Sequence, residues 1–221
     1  MELTAIVHVV DDDASFRTAI SRLLRAVGYE VAVYESAQHL LDRLPIENRL
    51  GCILLDVQIP GLSGPELQER LTELGSALPV VFLTGHGDIP TSVRAIKGGA
   101  EDFLTKPVPK DKLLDAIERS LARYETARAR DEQLSSLRAL VATLTRRKRQ
   151  VFELVVRGRM NKQIAHELGT AERTIKAHRQ RVMTKLRAQS LAEIVAIAER
   201  LGILAEPAHT QQQDADEKPQ P

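Results

Sequence analysis

Asp11 and Asp12 close the apolar run Ala5-Ile-Val-His-Val-Val10, and Asp56 closes a later run, Cys52-Ile-Leu-Leu55. Thr84 ends the run Val80-Val-Phe-Leu83, and Lys106, followed by Pro107, ends another. Carboxylates gathered in one place repel one another unless a cation lies between them, and a small hard cation takes oxygen ligands. Mg²⁺ commonly binds through one or two carboxylates together with water and a substrate phosphate. Beside such a cation Asp56 is a candidate nucleophile, able to attack a phosphoryl donor and form an acyl phosphate. Thr84 and Lys106 are suited to hydrogen-bond and neutralise the transferred phosphoryl oxygens. The competing reading is structural, with Asp11–Asp13 capping a helix and Lys106 solvating a loop.

Whether these residues meet depends on the elements that carry them. After the run at 5–10, Phe16, Ile20, Leu23, Leu24 and Val27 recur at helical spacing, and Asp13 is placed to cap that helix. Further apolar runs fall near 30–34, 52–55, 79–83 and 101–104, each followed by a helical pattern. This alternation predicts an α/β fold, a doubly wound five-stranded parallel sheet with helices on both faces. In such open sheets ligands bind outside the carboxyl ends of the strands, where all five polar groups lie.

Residues 1–123 resemble the receiver domain of two-component response regulators. The resemblance is carried by Val10-Asp-Asp-Asp13, Asp56 with Pro60-Gly-Leu-Ser-Gly64, Thr84-Gly-His-Gly-Asp-Ile-Pro90 and Lys106-Pro107. The Thr84–Pro90 stretch resembles the FixJ-type subgroup in particular. The resemblance implies that Asp56 accepts a phosphoryl group from a histidine kinase. It also implies that Asp11 and Asp12 help Asp56 bind Mg²⁺, with the backbone carbonyl of Gln58 as a further ligand. Asp13 stands just outside the metal pair. Phe103 takes the place of the family's switch aromatic beside Thr84, and Lys106-Pro107 resembles its cis-prolyl junction.

Composition narrows the class further. No apolar stretch approaches the roughly 18 residues that a membrane span requires, and the Met1-Glu2-Leu3 start lacks the pattern of a signal peptide. We therefore expect a cytoplasmic protein without membrane contact, with the single Cys52 a small buried core residue. The net charge of +1 conceals an asymmetry: residues 1–123 carry 13 Lys and Arg against 18 Asp and Glu, whereas residues 145–204 carry 14 against five. A compact segment of charge +9 points to a phosphate-rich partner.

Within that basic segment Val151, Leu154 and Val155 mark one short helix ending near Gly158, and Ile164, Ala165 and Leu168 a second ending at Gly169. Ile175, Val182, Met183 and Leu186 mark a third, and Leu191, Ile194, Val195 and Ala198 a fourth. A short second helix, a Gly-containing turn and a longer third helix make a helix-turn-helix. The third helix then turns Lys176, Ala177, Arg179, Gln180 and Arg181 outward, as a major-groove reader requires.

Residues 145–204 resemble the LuxR-type DNA-binding domain of the FixJ/NarL family. The carrying residues are Gly158, Asn161-Lys162-Gln-Ile-Ala165, Leu168, Thr174-Ile-Lys-Ala-His178 and Lys185-Leu186. By that resemblance Lys176, Ala177 and Gln180 read bases, while Thr174, His178 and Arg181 contact phosphates; a structural role for His178 is the alternative. Two departures stand out. Ala171 replaces the usual capping Ser, leaving Thr170 as a substitute cap. The first helix opens Thr145-Arg-Arg-Lys148 where the family has Thr-x-Arg-Glu, so four successive cations sit at a positive helix end. Either that end is frayed or a phosphate backbone lies near it.

Residues 124–144 are expected to form a helical linker, either plain or paired as a short coiled coil, since no Gly or Pro interrupts 110–144, and residues 205–221 a disordered tail. The implied partners are a histidine kinase, double-stranded promoter DNA, RNA polymerase and a second copy of the chain. The leading expectation is a transcription regulator, not an enzyme, dimerising on phosphorylation through the later receiver elements or the helix around Leu191–Ala198. A haloacid-type phosphotransferase would need an acid two residues after its nucleophile, where this chain has Gln58. An unphosphorylated dimerisation module would have no use for the intact set Asp11, Asp12, Asp56, Thr84 and Lys106.

Overall fold

The computed structural model describes residues 5–45, 49–85 and 99–204, in two compact units that divide between Ala129 and Arg130. In the first unit β1 (Ile6–Val10), β2 (Glu30–Tyr34), β3 (Gly51–Asp56), β4 (Val80–Thr84) and β5 (Asp102–Thr105) form one sheet in the order β2-β1-β3-β4-β5. Every pairing is parallel, so each strand but the last must be followed by a crossover. The helices described are α1 (Ala14–Ala26), α2 (Ala37–Leu41), α3 (Gly64–Glu73) and α4 (Lys110–Ala142). The helical pattern expected after β4 lies on residues outside those described.

Burial along the strands follows from their rank in the sheet. Central β3 is buried at all six residues, whereas edge strand β2 is exposed at two of five. Alternate side chains feed two cores. Val10, Ile53, Leu55 and Phe82 face Leu40, Leu67 and Leu71 of α2 and α3. Val9, Leu54, Val81 and Leu83 face Ile20 and Leu24 of α1 and Leu113 and Ile117 of α4. Cys52 belongs to the second core, and burial pushes its thiol up to about 12, leaving it unreactive.

Helix α4 runs 33 residues to Ala142, as the uninterrupted stretch predicts. It is fastened to the start of β5 and the residue before it by Arg119–Asp102 (2.7 Å) and Arg123–Glu101 (2.8 Å) ion pairs. The second unit continues with α5 (Arg146–Val156), α6 (Asn161–Glu167), α7 (Glu172–Leu186) and α8 (Leu191–Arg200). Val151, Leu154, Val155, Ile164 and Ile175 pack α5, α6 and α7 together. Val141, Leu144, Phe152, Val182, Leu186, Ile194 and Ala198 form the other core of this unit. Gly158 and Gly169 take φ of +78° and +60° after α5 and α6, a backbone that glycine adopts without a Cβ penalty.

Candidate functional site

The strand order reverses between β1 and β3, and a parallel sheet opens a crevice at that point above its carboxyl ends. Asp11 follows β1 and Asp56 ends β3, so topology alone brings them together. With Asp12 they offer carboxylate oxygens that all lie within 4.8 Å of one another. Asp11 is fully buried and Asp56 nearly so, while Asp12 is exposed. Lys106, arriving from β5, places its Nζ 2.6 Å from both Asp11 Oδ2 and Asp56 Oδ2. The same ammonium sits 4.3 Å from the centroid of the Phe16 ring.

Backbone donors fix both acids. Asp13 N–H donates to Asp11 Oδ1 (2.9 Å), and Gln58 N–H donates to Asp56 Oδ1 (3.1 Å). Asp13 itself caps α1, accepting from Ser15 and Phe16 N–H, which separates it from the acidic trio as expected. Burial raises the Asp11 carboxyl above the usual carboxylate range, against the opposing bonds from Lys106 and Asp13. Burial works against the Lys106 ammonium too, yet its bonds to Asp11 and Asp56 raise it overall.

Three converging carboxylates, one of them buried at a cost to its charged form, make an oxygen donor set that suits a hard divalent cation such as Mg²⁺. The backbone of Gln58 is tied to the pocket through its bond to Asp56.

Thr84 is buried at the end of β4, in register with Thr105, and its carbonyl accepts from Lys106 N–H at 2.6 Å. The Lys106-Pro107 bond is cis, as the sequence leads one to expect, and Leu44-Pro45 is also cis. Phe103 is half-buried, its ring 6.3 Å from that of Phe82. Of the Thr84–Pro90 motif, His86–Pro90 lie outside the described residues. Gly64, after β3, approaches so closely that a Cβ there would lie 2.5 Å from the Asp56 carbonyl oxygen. Two participants escaped the sequence reading. Arg17 donates from Nη1 to the Asp11 carbonyl (2.6 Å), and Phe16 lies against the Lys106 ammonium. Both sit on the first turns of a helix whose face is legible but whose packing against Lys106, ninety residues on, is not.

In the second unit Lys176, Ala177, Gln180, Thr174 and Arg181 are exposed along one side of α7, and His178 is half-buried. Burial, then Arg181, Arg147 and Lys148, lowers the His178 imidazole, and its buried Nδ1 has no hydrogen-bond partner among the described residues. Lys176 pairs loosely with Glu172 at 3.6 Å. Arg179 departs from expectation: it is half-buried and donates to Asn161 Oδ1 (2.8 Å), joining α7 to the start of α6 instead of facing outward. Ala171 is the N-cap of α7 and no side chain caps that helix, so Thr170 does not substitute. Helix α5 is formed from Arg146 onward, which removes the frayed end as an explanation for its cations. One of them, Arg147, donates to the carbonyl of Leu168 at the end of α6.

A carboxylate–lysine pocket at the switch point of a parallel sheet, joined to a helix-turn-helix unit, defines a receiver coupled to a DNA-binding output. Residues 7–118 match the response regulator receiver domain, and residues 142–198 match the bacterial regulatory proteins of the luxR family. The chain is 46% identical to nodulation protein W of Bradyrhizobium diazoefficiens over 208 residues, 94% of this chain and 90% of that one. It is 42% identical to the transcriptional regulatory protein FixJ of the same organism, covering 90% of this chain and 96% of FixJ. The structure of response regulator StyR superposes with a TM-score of 0.81 at 46% identity, covering 89% of this chain and 99% of StyR. The chain belongs to the two-component response regulators with a LuxR-type DNA-binding domain. It is a transcriptional regulator whose receiver implies a histidine kinase as partner and whose helical unit binds DNA. Among the described residues no helix is long and apolar enough to cross a membrane.

Proposed function

We propose that Asp56 is the phosphoacceptor and that its phosphorylation switches the protein into a dimer that binds promoter DNA. The supporting observation is the pair of 2.6 Å contacts by which Lys106 holds Asp56 beside the buried Asp11, with Asp12 at the rim. A carboxylate oxygen of Asp56 attacks the phosphorus of the kinase's phosphohistidine. The P–O bond forms as the P–N bond breaks, and the imidazole leaves with the electron pair. Mg²⁺, held by Asp11, Asp12, Asp56 and the Gln58 carbonyl, supplies charge neutralisation for the phosphoryl oxygens when bound. Lys106 and the Thr84 hydroxyl hydrogen-bond the product oxygens.

Drawing Thr84 toward the phosphoryl group opens space beside β5, into which Phe103 turns from its place near Phe82. The changed face at β5 and the neighbouring helices, or the face of α8, then pairs with a second copy. In the dimer Lys176, Ala177 and Gln180 read base edges, and Thr174, His178 and Arg181 hold phosphates. The protein acts in the cytoplasm as an activator contacting RNA polymerase; its product is a bound promoter and not a released metabolite. Intact-mass measurement and DNA footprinting with a small-molecule phosphodonor and Mg²⁺ test the switch. Wild type is expected to gain one phosphoryl group and protect DNA more strongly, and Asp56→Asn to do neither. Equal protection by both proteins, with or without phosphodonor, ends this reading.

A further inference from the structure

We propose, building on the DNA-facing role of α7 given above, that Lys148 of α5 clamps a phosphate of the same DNA, extending the contact surface to a second helix. Lys148 lines a groove together with Ala177, Gln180, Arg181 and Thr184 of α7 and with Lys185. The groove therefore continues the face on which the base-reading residues lie, and among the described residues no carboxylate lines it.

The cations around it are not equally free. Lys185 Nζ donates to the Thr143 carbonyl (2.8 Å), and Arg147 donates to the Leu168 carbonyl, so both serve the fold of the unit. Lys148 is half-buried and, among the described residues, has neither a hydrogen-bond nor an ion-pair partner. A half-buried ammonium without an anion is unfavourable, and it is placed at N3 of a helix with no acid in its first turn and no side-chain cap. The imidazole of His178 senses the same field, being lowered by burial and then by Arg181, Arg147 and Lys148. Positive potential of this kind, with the Gln180 amide as a further donor and continuous with a major-groove reader, matches the phosphodiester backbone of duplex DNA.

The test is equilibrium binding of the full chain to a pool of random-sequence duplexes across a salt series. One lost phosphate contact lowers the slope of log K against log salt by about 0.9. Lys148→Ala and Lys148→Glu are expected to show that loss, and Lys148→Arg to keep the wild-type slope. Arg157→Ala removes the same charge from the other end of α5 and is expected to leave the slope unchanged. Lys148→Glu also separates contact from structure, because an acid at N3 favours the helix and its unfolding midpoint should not fall. A wild-type slope in Lys148→Ala and Lys148→Glu overturns the phosphate contact while leaving DNA binding intact. A wild-type chain whose binding shows no salt dependence overturns the DNA-facing role of α7 itself.

Discussion

Lys106 offsets part of the negative charge of the receiver pocket: its ammonium is shared between Asp11 and Asp56 at 2.6 Å each, and the side chain of Asp11 has no exposure to water. Removing one partner of a buried ion pair leaves the other charge uncompensated, which typically costs about 3–5 kcal/mol. Lys106→Met is accordingly expected to lower stability by about 3 kcal/mol in urea denaturation without metal, and added Mg²⁺ should recover part of the deficit. A deficit that Mg²⁺ leaves unchanged would show that the carboxylates are not its ligands. His8 provides a second titrating core group away from that chemistry. Its Nδ1 meets the Tyr34 hydroxyl at 3.0 Å, and burial followed by Arg49 lowers the imidazole to about 4. The unfolded imidazole takes up its proton near pH 6.5, so between the two values the unfolded chain binds more protons and stability is lost as the pH is lowered. The loss between about pH 7 and about pH 5 is about 2 kcal/mol. His8→Gln should flatten that part of the pH profile, and an unchanged pH dependence in the variant would refute the assignment.

Helix α7 is preceded by Ala171, whose φ of −75° and ψ of 145° are already those of an N-cap, but a methyl group accepts no hydrogen bond. Ala171→Ser is therefore expected to stabilise the second unit by about 0.5–1 kcal/mol, raising its thermal midpoint. A neutral or lowered midpoint would mean that Glu172 in the first turn already serves the free N–H groups. The missing cap was legible in the sequence, as were the strand ends bearing Asp11, Asp56 and Thr84, because period and order are local properties that parallel topology converts into proximity. The ties between elements were not. Arg147 reaching the Leu168 carbonyl and Arg179 reaching Asn161 join residues on separate helices. In a helical plan such arginines are only polar positions, and which of them turns inward depends on the carbonyl or amide that the fold leaves unsatisfied. The shared use of Lys106 by two acids was hidden for the same reason: spacing placed all three at strand ends but did not fix the reach of a flexible ammonium.

Charge is divided along the chain, −5 over residues 1–123 and +9 over residues 145–204, so nucleic acid attracts the output segment and repels the input segment. A monomer offers DNA one recognition helix and its phosphate contacts. If modification of Asp56 pairs two chains, both helices engage one duplex, at half-sites about one helical turn apart. The number of neutralised phosphates then doubles, and so does the slope of log affinity against log salt, since each contact contributes about 0.9 to it. Beryllofluoride with Mg²⁺, a stable mimic of the acyl phosphate, allows both quantities to be measured on one sample. Light scattering should report a doubling of mass, and the salt series on duplex DNA a slope about twice that of the untreated protein. Asp56→Asn should show neither change. A doubled slope without a doubled mass in free solution would mean that the second copy is recruited on the DNA itself. Doubled mass before beryllofluoride is added would instead make the chain a constitutive dimer, and its acidic pocket would then have no part in assembly.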